Sequence, residues 1–142
     1  MMVHDFKKYP ELRNSQLQIY YLDSPHRQII ENFTAKVIKV IDGDTIKVKW
    51  EDRDFNFPIR MAFIAAPEIK EEGGKRSQQW LEKQILGKDV DILIDPYNRV
   101  GKWGRLIGQI MFMGQNLNQA SLDFGYSTVF GKEDSTKWEV EI

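Results

Sequence analysis

Residues 35–64 read AKVIKVIDGDTIKVKWEDRDFNFPIRMAFI and decide the fold. Apolar side chains alternate with polar or small ones over 46–50 and again over 57–63, and this period of two is typical of β-strands with one buried face. Asp42–Gly43 interrupts the first apolar run, and we expect a tight turn there with a positive φ at the glycine. The polar residues 51–54 precede the third run. The segment therefore predicts a meander of three short strands.

The sequence after this meander predicts two helices and two further strands. Good helix formers follow the EEGGK stretch at 71–75, and Gly87 stands where a helix C-cap is common. The expected elements are a helix over 77–86, strands over 90–94 and 106–113, and a helix over 116–124 with Asn116 as its N-cap. The order β-β-β-α-β-β-α predicts an α+β protein built on an OB-fold, a five-stranded β-barrel accompanied by helices.

The barrel pattern occupies only part of the chain. We expect an N-terminal extension at 1–33, one barrel domain at 34–131 and a C-terminal tail at 132–142. The tail alternates apolar and acidic residues, which suits an added strand against the barrel or against a partner, and a frayed end is an equal alternative. Either terminal segment is a candidate surface for a protein partner.

Composition restricts the classes of function. The 142 residues carry a net charge of -1 and no cysteine, so disulfides and thiolate metal sites are excluded. Since the sequence has no long apolar run and no secretory leader pattern, we expect no membrane span, and the cytoplasm is the default location. Basic residues never occur in a run longer than a pair. Nucleic-acid binding would therefore depend on a few placed cations and should be sensitive to salt.

Polar clusters occur at three predicted strand ends. They are Asp42–Thr45, Arg60 with Pro67–Glu68, and Lys102–Arg105. Taken singly, each cluster has a structural interpretation. Asp42–Thr45 can be a hairpin turn, and Arg60 can be a surface residue paired with Glu51 or Asp52. Glu68 can mark the start of a loop, and Trp103 can pack in the core. Their occurrence together at strand ends favours a functional site instead.

In this combination the sequence resembles the staphylococcal nuclease-like, or thermonuclease, family. The family motifs correspond to VIDGDTIKV at 40–48, IRMAFIAAPE at 59–68 and KWGR at 102–105, and the resemblance spans residues 34–131. The order and spacing of the motifs around the predicted strands and helix make the combination specific. The resemblance implies a calcium-dependent endonuclease that hydrolyses DNA or RNA, with single-stranded or unpaired nucleic acid as the expected substrate.

The resemblance also implies a role for each motif residue. Asp44 corresponds to a calcium ligand, Ala66 to a ligand through its backbone carbonyl, Arg60 and Arg105 to phosphate-binding arginines, Glu68 to the general base, and Lys102 and Trp103 to substrate contacts. Guanidinium groups offer paired donors that stabilise charge on a phosphoryl group in its transition state. Hard oxygen ligands suit calcium, and a glutamate beside the metal can accept a proton from attacking water.

One position departs from the family pattern. Ala65 stands where the family carries an aspartate calcium ligand, so one side-chain oxygen is lost and calcium affinity should fall. The tyrosines that stack on a base in the family also have no clear match near Phe130 and Gly131. Two hypotheses stay open. One is a metal-dependent phosphodiesterase impaired at Ala65, and the other is a catalytically inactive OB-fold module that binds nucleic acid or protein within a larger assembly.

Overall fold

The structure is a computed structural model that describes residues 11–12, 27–101 and 104–130. Its elements are, in chain order, β1 (Phe33–Asp42), β2 (Thr45–Lys49), β3 (Phe57–Met61), β4 (Ile64–Ala65), α1 (Gly74–Ile85), β5 (Asp89–Leu93), β6 (Leu106–Phe112), β7 (Gln115–Asn116), α2 (Leu117–Asp123) and β8 (Thr128–Val129). The predicted tail at 132–142 and most of the predicted extension lie outside the described residues, so the domain boundaries stay a prediction.

Five of these strands close into a barrel. The main sheet has the order β3-β2-β1-β5-β6-β7, and a parallel pairing of β3 with β6 joins its two sides. The other pairs in this sheet are antiparallel. The short strands β4 and β8 form a separate two-stranded sheet. The predicted OB-fold, with its five-stranded barrel and two helices, is confirmed.

The barrel interior is filled by the apolar residues that alternate along the meander. Val37, Ile46 and Ile59 are fully buried, and Ile46 pairs with Ile59 across β2 and β3. Helix α1 adds Leu81 and Ile85 to the same core. Burying such a side chain contributes about 1.5–3 kcal/mol. Tertiary packing therefore stabilises the 12-residue helix α1, which would be marginal in isolation.

Helix α1 begins earlier than the predicted residue 77, because the glycine pair belongs to its start. Gly73 is the N-cap and has a φ of 82°, which favours glycine. A Cβ on Gly74 would lie 1.8 Å from the Glu68 carbonyl oxygen, so only glycine permits this approach. The helix therefore packs directly against the backbone of the loop that carries Glu68.

The turn between β1 and β2 forms where it was predicted, but for another reason. The described glycines with positive φ do not include Gly43, so the predicted positive φ is wrong. A Cβ on Gly43 would instead lie 1.9 Å from Ser77 Oγ and 2.7 Å from Ala66 Cβ. Glycine is required because the turn presses against helix α1 and the segment after β4.

Helix α2 is capped as the sequence predicts. The Asn116 side-chain oxygen accepts a hydrogen bond of 3.1 Å from the Gln119 backbone N–H, which satisfies one free donor of the first turn. Across the described residues, the helices are too short and too polar for any of them to cross a membrane.

Candidate functional site

Asp44 is the centre of the candidate site. It lies at the start of β2, is only 7% exposed, and both of its carboxylate oxygens accept hydrogen bonds. Thr45 Oγ1 donates to Oδ1 at 2.8 Å, and the Ala66 N–H donates to Oδ2 at 2.9 Å. Asp44 therefore joins the turn after β1 to the segment after β4.

Arg60 reaches Asp44 from the neighbouring strand. The register of β2 and β3 pairs Thr45 with Arg60, and Arg60 Nη2 lies 3.4 Å from Asp44 Oδ2. Arg60 Nη1 donates to the Met61 carbonyl at 2.8 Å, and the guanidinium lies 5.4 Å from the centre of the Phe130 ring. The alternative in which Arg60 is a surface residue paired with Glu51 or Asp52 is wrong, because its ion pair is with Asp44 and its side chain is 10% exposed.

Arg105 lies within electrostatic range of Arg60. Burial lowers the pKa of Arg60, the charge of Asp44 opposes that shift, and the charge of Arg105 acts in the same direction as burial. Arg105 stands between Gly104, which has a φ of 69°, and the start of β6. Its Nε is buried and has no hydrogen-bond partner within the described part of the chain. The fold thus brings together two guanidinium groups from separate strand ends.

Asp42 belongs to this cluster, whereas its sequence context predicts only a turn residue. Its Oδ1 accepts a hydrogen bond of 3.0 Å from the Asp44 N–H. Burial raises the pKa of Asp42 to about 6, and a side-chain hydrogen bond with Asp44 and the charge of Asp44 add to the rise. The backbone N–H of Asp44 and the charge of Arg60 oppose it. The Asp-Gly-Asp spacing was the available signal, since a tight turn brings both carboxylates to one end of the hairpin.

Ala65 and Ala66 follow β3 in the sequence, and the Ala66 backbone contacts Asp44 across 22 residues. Ala65 belongs to β4 and pairs with Thr128 of β8, whose Oγ1 lies 3.4 Å from the Ala65 carbonyl. Ala66 is the residue whose N–H binds Asp44. Ala65, where the family resemblance predicts an aspartate, is therefore next in the chain to Ala66, which contacts Asp44 directly.

The described residues contain no group of three or more acidic or histidine side chains that could hold a metal ion. Asp42 and Asp44 supply two neighbouring carboxylates; burial is the main cause of the raised pKa of Asp42, and repulsion by the charge of Asp44 adds to it. A divalent cation would relieve that repulsion, so the pair fits a cation through hard oxygen ligands.

Glu68 is exposed and stands apart from the buried cluster. Its backbone N–H donates to Glu71 Oε1 at 3.1 Å, and its carbonyl accepts from the Glu71 N–H at 2.8 Å. Among the described residues no ion pair or hydrogen bond engages the Glu68 carboxylate. The structure therefore brings Asp44, Arg60 and Arg105 together and leaves Glu68 facing solvent two residues beyond Ala66.

Lys102 and Trp103 lie outside the described residues, so their predicted substrate contacts stay predictions. The backbone on either side of them is held together, because the Gly101 N–H donates to the Arg105 carbonyl at 2.9 Å.

Comparison with known proteins agrees with this geometry. A family profile described as staphylococcal nuclease homologue matches residues 58–141, which is more than half of the chain. The chain belongs to the staphylococcal nuclease homologue family. The OB-fold barrel is thus a nuclease-like scaffold.

Individual relatives in this family are distant and longer. An uncharacterized endonuclease of Escherichia coli is 33% identical over 97 residues, which are 68% of this chain and 60% of the relative. An uncharacterized protein of Bacillus anthracis is 26% identical over 106 residues, covering 70% of this chain and 49% of the relative. An uncharacterized protein of Methanocaldococcus jannaschii is 27% identical over 127 residues, covering 70% and 60%. The matched regions span 49–60% of the length of these relatives.

Proposed function

We propose that this chain carries a calcium-dependent endonuclease site for single-stranded or unpaired DNA or RNA, and that Ala65 impairs it. The observation that carries the proposal is that Arg60 is paired with the buried Asp44 and lies within electrostatic range of Arg105. Two guanidinium groups beside a buried carboxylate suit a phosphodiester, which needs positive charge on its oxygens.

Arg60 and Arg105 would bind the scissile phosphate. Among the residues that the structure describes, Arg60 makes one hydrogen bond to a backbone carbonyl and one ion pair to Asp44, which leaves other guanidinium N–H groups to donate to phosphate oxygens. Arg105 contributes a buried Nε with no partner in the described residues. Low solvent exposure strengthens the interaction of Arg60 with phosphate, and planar guanidinium groups also orient the phosphate.

Asp42, Asp44 and the Ala66 carbonyl would hold the cation. Asp42 and Asp44 are joined by a 3.0 Å hydrogen bond, and the Ala66 backbone lies against Asp44. When bound, calcium supplies Lewis-acid polarisation of a phosphoryl oxygen. Because Ala65 provides no side-chain oxygen, we expect weaker calcium binding than a site with three carboxylates.

Glu68 would accept the proton of the attacking water. Its carboxylate is exposed, and no hydrogen bond or ion pair within the described residues competes for it. The close packing of Gly74 against the Glu68 carbonyl holds the backbone at this position. A positioned carboxylate of this kind contributes about 10²–10⁴-fold to a rate when geometry is correct.

A specific observation favours a second candidate function. Arg60 already neutralises Asp44 within the protein, so the cluster is electrostatically balanced without a cation. The chain would then be a catalytically inactive OB-fold module that binds nucleic acid, or a protein partner through residues 1–33 or 132–142, within a larger assembly. The arginine pair would serve phosphate binding alone.

Cleavage assays distinguish these candidates. Fluorescent single-stranded DNA and RNA are incubated, with calcium or with chelator, with the wild-type chain, with Ala65→Asp, and with Ala65→Asp combined with Glu68→Gln. The proposal predicts cleavage that appears or rises with Ala65→Asp, requires calcium and is lost when Glu68→Gln is added. Glu72→Gln in the Ala65→Asp background is the matched control, since Glu72 is an exposed glutamate of the same loop.

The opposite result is equally clear. If folded Ala65→Asp protein cleaves neither substrate with calcium present, the endonuclease proposal is wrong. Tight binding of the same oligonucleotides without cleavage would then support the inactive module.

A further inference from the structure

A second charged cluster joins the N-terminal extension to the barrel. Glu11 is only 2% exposed, and its carboxylate lies 2.5 Å from Arg53 Nη1 and 3.9 Å from Arg99 Nη1. The side chains of Arg53 and Arg99 are themselves 2% and 1% exposed. One buried carboxylate therefore faces two buried guanidinium groups, an arrangement in which removal of the carboxylate leaves two like charges uncompensated.

Arg99 binds the extension through its remaining donors. Its Nη2 donates to the Leu12 carbonyl at 2.5 Å and its Nη1 donates to the Ile29 carbonyl at 2.9 Å. Arg53 acts similarly from the loop between β2 and β3, with Nη2 donating to the Arg27 carbonyl at 2.7 Å. The two arginines thus hold separate parts of the extension against the barrel.

Arg99 also stands at the base of the hairpin that carries Arg105. The Ile107 N–H donates to the Arg99 carbonyl at 2.8 Å, and Val100 pairs with Leu106. Glu11 also binds the hairpin near Arg105, because the Glu11 N–H donates a hydrogen bond of 3.1 Å to the Gly104 carbonyl. Glu11 therefore contacts this hairpin at two places. Its carboxylate faces Arg99 at the base, and its backbone N–H bonds to Gly104, the residue before Arg105.

We infer that Glu11 is a positioning residue for Arg105, so that the N-terminal extension holds one of the two phosphate-binding arginines in place. This inference rests on the proposed function. Arg105 follows Gly104 immediately, so a displaced Gly104 carbonyl moves the Arg105 backbone. Arg60 lies on β3, and its described contacts, to Asp44 and the Met61 carbonyl, do not involve this cluster, so its position does not depend on Glu11.

The charge of Glu11 is essential to this role. Burial lowers the pKa of Arg99, Glu11 opposes that shift, and Arg53 acts in the same direction as burial. An uncharged side chain at position 11 would leave Arg53 and Arg99 to repel each other in a dry environment. The arginines would then separate, and the hairpin with Gly104 and Arg105 would lose its attachment to the extension.

A double-mutant cycle on nucleic-acid binding tests the inference. Binding of a fluorescent single-stranded DNA is followed by anisotropy in chelator, which prevents cleavage, for the full chain with Glu11→Gln, Arg105→Ala and both changes. We expect Glu11→Gln to weaken binding about fivefold or more when Arg105 is present and less than about twofold when it is absent. A residue that only stabilises the fold would weaken binding by the same factor in both backgrounds.

Three controls accompany the cycle. Glu11→Asp keeps the negative charge on a shorter side chain, so it should fold even if Glu11→Gln does not. It should weaken DNA binding less than Glu11→Gln, with the same dependence on Arg105. Glu31→Gln changes an exposed glutamate of the extension and should leave binding unchanged. Ile85→Val removes one buried methyl group from α1 and reports what loss of stability alone does to binding.

The outcomes separate the inference from the proposed function. If the wild-type chain does not bind single-stranded DNA, or if Arg105→Ala leaves its affinity unchanged, both the proposed function and the inference are wrong. Binding that depends on Arg105 but is unaffected by Glu11→Gln and Glu11→Asp, or is weakened equally in both Arg105 backgrounds, overturns the inference alone.

Discussion

The Arg60 guanidinium lies 3.4 Å from Asp44 Oδ2, and both side chains are 10% exposed. One proposed substrate-binding group is therefore paired with a proposed cation ligand. A cation at Asp44 and Arg60 compete for the same oxygen. Calcium bound at Asp44 would weaken the ion pair and leave Arg60 to bind phosphate. Calcium and nucleic acid should therefore each increase the affinity of the protein for the other.

Removal of Arg60 should therefore strengthen calcium binding. The Arg60→Ala chain loses the positive charge that occupies Asp44 Oδ2, and a pair at this depth is worth about 1–2 kcal/mol, or roughly 5- to 30-fold in affinity. Isothermal titration with calcium chloride measures the change. The same variant should bind single-stranded DNA more weakly, since it loses a phosphate contact.

Arg76→Ala is the matched control for this experiment. Arg76 is an exposed arginine on α1 that lies over the Tyr126 ring, so its loss should leave calcium affinity unchanged. Calcium binding by Arg60→Ala that equals or falls below that of the wild-type chain would contradict the competition between Arg60 and the cation.

Asp42 predicts a pH dependence of stability. Burial raises its pKa from 3.8 to about 6, which means that the folded protein binds this proton more tightly than the unfolded chain. The resulting stabilisation is fully present below pH 3.8 and is lost as the pH rises through about 6. In chelator, wild-type stability should fall relative to Asp42→Asn across this interval, as measured by urea unfolding at a series of pH values.

Calcium should reverse this trend. Above pH 6 the ionised Asp42 is a cation ligand, so added calcium should stabilise the wild-type chain more than Asp42→Asn. A stability difference between the two chains that stays constant from pH 4 to pH 7 would show that the proton on Asp42 is not linked to folding.

The barrel could be predicted from the sequence because its signals are local. The period-two pattern places Ile46, Val48, Phe57, Ile59 and Met61 in the core, and Asn116 caps its helix through a contact within one turn. None of these features needs information from a distant part of the chain.

The glycines show where local reasoning fails. Asp42–Gly43 has the composition of a turn with positive φ, but Gly43 is required by Ser77, which is distant in the sequence. Gly74 is likewise required by the Glu68 carbonyl. Where two segments approach closely, the sequence shows only a glycine. The distant segment that requires this glycine can be identified only from the structure.

The site was predicted only in part for a similar reason. Family motifs indicated Asp44, Arg60 and Arg105, which the fold brings together. Glu11 and Arg99 were not identified, because a buried charged residue and an exposed one are identical in sequence. The extension also has no periodic pattern that would have indicated burial.

Asn118 provides a last prediction, since it joins α2 to the barrel beside the site. It is fully buried, and its Oδ1 accepts from the Ile110 N–H at 3.0 Å. Its Nδ2 donates to the carbonyls of Ala62 at 3.0 Å and Gly108 at 3.2 Å. Asn118→Ala would leave buried backbone groups without this partner and should lower the free energy of unfolding by about 2–4 kcal/mol.

Asn118→Asp separates hydrogen bonding from packing. Aspartate has nearly the same shape but places a carboxylate against two carbonyl oxygens, so it should destabilise the protein at least as much as Asn118→Ala at pH 7 and less at pH 4, where it can become protonated. Urea unfolding measures both variants. Gln119→Ala, an exposed position on the same helix, should change stability by no more than about 0.5 kcal/mol. Equal stability of Asn118→Ala and Gln119→Ala would show that the Asn118 hydrogen bonds do not hold α2 to the barrel.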